Sequence, residues 1–150
     1  MELDLQYVAH DVAIVGSSNG CFTANRAAVQ LWTDGKIKVA KLLDMDQGNE
    51  WIPINTNDNL TDEECKLLAE EGTEVYLFEQ HDVGMNVEAI ANMVNHGVNV
   101  TVVECVHDDH NSITVYMYKE DIFGWITGEY SDLNEDEYTM VKLEKGCVAK

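Results

Sequence analysis

Hydrophobic positions along this chain follow two periods, and the change from one to the other divides it into elements. TEVYLFEQ (73–80) and VNVTVVECV (98–106) are apolar runs of strand length. Between them Val87, Ile90, Ala91 and Val94 recur at the spacing of one buried helical face, predicting a helix over 86–96 that stops at Gly97. Strand, helix and strand in that order are the size of a right-handed crossover joining parallel strands, here over 73–106. Nearly continuous apolar strands suit a sheet covered on both faces.

The flanking segments extend the pattern. YVAHDVAIVG (7–16) reads as one or two short strands and GSSNG (16–20) as a turn. A helix is predicted over 23–32, with Thr23 able to cap it and Ala24, Ala27, Ala28 and Leu31 on one face. KIKVAKLL (36–43) reads as a strand, and 44–60 is the least regular stretch. There Trp51, Ile52 and Ile54 could form an edge strand, which Pro53 keeps from being central. Thr61 and Glu64 have capping-box spacing, so a helix is predicted from Thr61 to about Glu71, closed by Gly72.

After residue 106 the short connection to ITVYMY (113–118) favours an antiparallel partner. DIFGWITG (121–128) reads as a short strand or a turn, and GEYSDLNEDEY (128–138) as an acidic connection with one helical turn. YTMVKLEKG (138–146) reads as a last strand, placed at an edge by Lys142 and Lys145. The expected architecture is α/β: a single compact domain over 1–150, three-layer-like, with a mixed sheet and antiparallel C-terminal strands. The length suits one domain.

Charge alters the picture more than composition does. Apolar residues make up 45% of the chain, but 28 Asp and Glu stand against 9 Lys and Arg, a formal charge of −19. Direct nucleic-acid binding is not expected, because a phosphate backbone would be repelled. No apolar run reaches membrane-spanning length. The acidic start MELDLQYVAHD has no apolar signal core, so a cytoplasmic protein is expected, in the host cytoplasm if it is viral. Cys21, Cys65, Cys105 and Cys147 form no CxxC pair, and isolated buried thiols are expected rather than disulfides.

Candidate chemistry gathers after the two strongest strands. His81 and Asp82 follow the first; His107, Asp108, Asp109 and His110 follow the second. A parallel crossover would bring both groups to one edge of the sheet. Imidazole and carboxylate suit zinc or manganese, so His81, Asp82, His107, Asp108 and His110 are candidate metal ligands. His10 and Asp11 are weaker candidates. DDHNS is also ordinary turn chemistry, and His96 suits a helix's last turn without any metal. In the GSSNG turn, Ser17, Ser18, Asn19 and Gly20 could hold an anion against the following helix, although no phosphate-loop lysine stands beside them.

GSSNGCFTANRAAVQLW (16–32) resembles the motif that opens DHH-type phosphoesterases, with Gly20, Ala24, Ala27, Ala28 and Trp32 at matching places. EVYLFE (74–79) and the VHDDH stretch resemble that family's later strands. The resemblance implies manganese-dependent phosphodiester hydrolysis. Asn19 stands where the motif has aspartate, Ser17 is not acidic, and HDDH differs from DHH. It therefore implies a degenerate domain as readily as an active one.

Two functions follow as expectations. The first is a noncatalytic binding or inhibitory protein, of the kind small viral or phage regulators provide, which engages a basic, nucleic-acid-binding partner as a nucleic-acid mimic and needs no cofactor. Asp62, Glu63, Glu64, Glu70 and Glu71 form one acidic cluster, with Asp58 nearby; Glu129, Asp132, Glu135, Asp136 and Glu137 form another. The second is a divalent-metal-dependent phosphoesterase using manganese or zinc. A homodimer is compatible with either.

Overall fold

The computed structural model describes residues 12–17, 20–45, 60–79, 87–105 and 119–146. A five-stranded sheet forms the frame, in the order β1 (Val12–Ser17), β2 (Val39–Met45), β3 (Glu74–Glu79), β4 (Asn99–Cys105), β5 (Tyr138–Lys142). The first four strands run parallel and β5 returns antiparallel to β4. The β3–helix–β4 crossover and the terminal edge strand are as the sequence predicts. The 51–54 and 113–118 segments lie outside the described residues.

Three helices pack on one face: α1 (Gly20–Gly35), α2 (Asp62–Glu71) and α3 (Val87–Asn95). Ala24, Ala28, Leu68, Ile90 and Met93 from these helices meet Val39, Leu42, Val75, Leu77, Val100 and Val102 from the strands. The opposite face is covered by α4 (Lys119–Ile126) and the segment after it. There Leu43, Phe78, Val103 and Cys105 pack with Ile122, Trp125, Leu133 and Tyr138. The strands are apolar on both sides because both sides are covered.

Local sequence accounts for the helix ends. Thr61 accepts from the Glu64 N–H while the Glu64 carboxylate accepts from the Thr61 N–H, closing the expected capping box. Gly72 ends α2 at φ 78°, the left-handed cap that glycine adopts without a Cβ penalty. Three elements differ from the sequence reading. Helix α1 begins at Gly20, so Thr23 lies inside it rather than capping it. The reason is tertiary: the Cys21 thiol donates to the carbonyls of Gly16 and Met45, fastening the first turn onto the ends of β1 and β2. β2 extends to Met45, carrying Asp44 into the sheet. DIFGWITG is mostly helix, because Ile122, Trp125 and Ile126 must face the sheet together, a spacing that only the helical period supplies.

Candidate functional site

Parallel pairing brings the carboxyl ends of β1 to β4 to one edge, where ligands of open α/β sheets collect. β3 and β4 run side by side to their ends, with Glu79 opposite Glu104. The helices that follow them, α3 and α4, lie on opposite faces of the sheet. His10, Asp11, His81, Asp82, His107, Asp108, Asp109 and His110 lie outside the described residues, as do Ser18, Asn19 and Asp58. Among the described residues no three His, Cys, Asp or Glu side chains gather as metal donors. Ser17 is the last residue of β1 and Gly20 the first of α1, so these two residues of the GSSNG turn flank a strand-to-helix connection. The turn is tight: a Cβ on Gly16 would stand 2.6 Å from the Gly20 carbonyl oxygen and 2.7 Å from the Cys21 Cα.

A residue that the sequence reading left in a loop stands out at this edge. Asp44, opposite Gly16 on one side and Leu77 on the other, is fully buried. Among the described residues, neither of its carboxyl oxygens has a hydrogen-bond partner of normal geometry. Burial pushes its pKa up to about 8, with the nearby Asn25 side chain on α1 offsetting part of the shift. The sequence signal was present in KLLDM, a lone carboxylate within an apolar run. The Cys65 thiol is likewise pushed up, to about 11, by burial and by the charges of Asp62 and Glu64, which makes it a poor nucleophile. Cys21, Cys65 and Cys105 are all buried.

The two acidic clusters lie on opposite layers and differ in how their charges are used. In the first, Glu63 pairs with Lys66 at 2.7 Å and Glu64 closes the capping box. Asp62 lies 3.8 Å from His96 Nε2; the other ring nitrogen of His96, the residue just past the end of α3, is 2.8 Å from the Asn92 carbonyl oxygen. Glu71 is buried and accepts the Val39 N–H, while Thr73 Oγ1 donates to the Val39 carbonyl. Burial raises the Glu71 pKa, and the Val39 N–H, the Thr73 side chain and the Lys38 charge beside its carboxylate oppose the rise. Glu71 thus holds the α2–β3 turn to β2 and is withdrawn from the acidic surface. Among the described residues of this cluster, Glu70 alone is exposed with no polar partner.

The second cluster is built differently. Glu129, Asp132, Glu135 and Asp136 are exposed, Glu137 is half-buried, and none has an ion pair among the described residues. Asp121, in the first turn of α4, joins Glu129 and Asp132 around an open cavity of about 460 Å³. The connection folds as turns: the Asp136 N–H donates to Asn134 Oδ1, and Leu133 is anchored in the core. Two aromatics stand in this surface, Phe123 at 62% and Tyr130 at 45% exposure. The Tyr130 ring lies so close to Gly124 that any Cβ there would collide with it, while the Tyr130 N–H donates to the Gly124 carbonyl. Sequence reasoning missed both aromatics because it did not place Phe123 on the outer side of a helix.

No family model, curated protein or solved structure matches the chain. Among the described residues, no helix is long and apolar enough to cross a membrane.

Proposed function

We propose that the protein is a noncatalytic binding protein whose working surface is the α4–β5 connection, and that its partner is a basic protein that otherwise holds nucleic acid. The observation that carries this reading is the contrast between the clusters. The carboxylates of α2 are largely engaged within the fold, whereas among the described residues those of 121–137 form no ion pair. Like charges so close together repel, and a Lys- and Arg-rich partner relieves that repulsion while it steers the encounter. Phe123 and Tyr130 supply the apolar anchors that charge alone lacks.

The test is displacement. The protein is titrated into complexes of basic DNA-binding proteins with fluorescent duplex DNA. Release of DNA that weakens with salt supports the reading. Changing Glu129, Asp132, Glu135, Asp136 and Glu137 to their amides should cut displacement at least about tenfold, while amides at Asp62 and Glu63 leave it nearly intact. Displacement indifferent to both salt and the five-site change rejects it.

A second reading, a manganese- or zinc-dependent phosphoesterase, draws support from the adjoining ends of β3 and β4 and the opposite faces taken by α3 and α4. Metal analysis of protein purified without chelator tests it; absence of bound metal, with none taken up on addition, rejects it.

A further inference from the structure

The α4 face of the sheet also contains a groove that shares Asp132 and Glu135 with the proposed interface. It has a volume of about 640 Å³, within the range of small-molecule sites. Its floor is Lys41, on the central part of β2, with the ammonium 4.2 Å from the centroid of the Trp125 ring. Tyr76 meets Trp125 edge-on at 4.7 Å and forms one wall. Met140, 41% exposed, contributes to the other side, and Asp132 and Glu135 lie on the rim.

Lys41 is unusual in this chain. In a protein of charge −19, a half-buried cation would be expected to draw a carboxylate, yet among the described residues Lys41 has no ion pair. Its ammonium lies over the Trp125 ring instead. A cation without a counter-ion, beneath aromatic and thioether walls, suits the anionic end of a flat ligand. The rim has the opposite sign. A ligand carrying net negative charge would meet both that rim and the field of the whole molecule, whereas a net-neutral zwitterion would not.

We infer that this groove binds a zwitterionic aromatic small molecule of the amino-acid type. Its carboxylate meets Lys41, its ring lies between Tyr76 and Met140, and its ammonium faces Asp132 and Glu135. The assignment stands on the groove alone and does not depend on a basic protein partner.

Calorimetric titration of the intact protein with L-tryptophan, L-tyrosine and L-phenylalanine tests it, with indole-3-acetate and tryptamine as the purely anionic and purely cationic probes. At least one of the amino acids should bind with a Kd below about 1 mM and at least about tenfold more tightly than either single-charge probe. Lys41→Met keeps the aliphatic stem and removes the charge. It should weaken that binding about tenfold or more, while Lys41→Arg retains it and circular dichroism shows both variants folded. Phe123→Ala, which lies outside the groove lining, should leave amino-acid affinity unchanged even where it abolishes DNA displacement. The inference is overturned by no binding of any of the three amino acids to about 10 mM, by equal binding of indole-3-acetate, or by a folded Lys41→Met variant of undiminished affinity.

Discussion

Asp44 shows how one residue couples the fold to pH. Its carboxyl is fully buried, and that burial pushes its pKa up to about 8 from an ordinary 3.8, with Asn25 offsetting part of the rise. The folded protein therefore holds a proton there that the unfolded chain releases above about pH 4. Between these two values the unfolded state binds fewer protons, so stability falls as pH rises, and it levels off above about 8. The slope for one such group is about 1.4 kcal/mol per pH unit at most. Asp44→Asn, neutral at every pH, should be more stable than the parent at pH 8 and close to it at pH 4. Urea unfolding at those two pH values measures the difference. Glu71 contributes through a hydrogen bond instead: Glu71→Ala leaves the Val39 N–H without its acceptor and should cost about 1–3 kcal/mol in the same measurement. Residue identity was legible at both positions, but their roles were not. Nothing local distinguishes Glu71 from its exposed neighbour Glu70; only the approach of β2 does.

Among the elements, those whose ends carry their own chemistry were the most legible. Thr61, Glu64 and Gly72 define α2 from either end, and the structure has the box and the left-handed cap where the spacing puts them. Thr61→Ala should lower stability by about 1 kcal/mol, read as a shift in the urea midpoint at unchanged slope. Helix α4 was illegible for a definite reason. Its apolar residues at 122, 123, 125 and 126 fit a short strand nearly as well as a helix, and eight residues are too few for the period to decide. The sheet face decided it by taking Ile122 and Trp125 together and leaving Phe123 outward. Gly124 then became the place where Tyr130 lies against the helix. Gly124→Ala should displace that ring and weaken partner displacement about as much as Tyr130→Ala does, while far-UV circular dichroism reports α4 intact.

At the scale of the whole molecule, consecutive strand order puts α1, α2 and α3 on one face and leaves the other to α4 and the chain that follows it. The acidic clusters were legible as composition, but their separation onto opposite layers was not. That separation makes one flat partner unable to cover both. Neutralising the α4–β5 cluster should flatten the salt dependence of binding, and neutralising Asp62 and Glu63 should not; titrations at two ionic strengths distinguish them. The adjoining ends of β3 and β4 were legible from the crossover pattern, since strand, helix and strand of that length close in one way.

By itself the sequence determined what depends on neighbours a few residues away: the periods of its strands and helices, the capping box, the parallel crossover and the excess of carboxylate. The tertiary structure alone decided what depends on chain segments far apart. It turned Asp44 inward beneath α1, bound Glu71 to β2, made a helix of 119–126 and set Lys41 over the Trp125 ring. The physical reason is that burial and charge compensation are properties of packed surroundings, which no short stretch of chain contains.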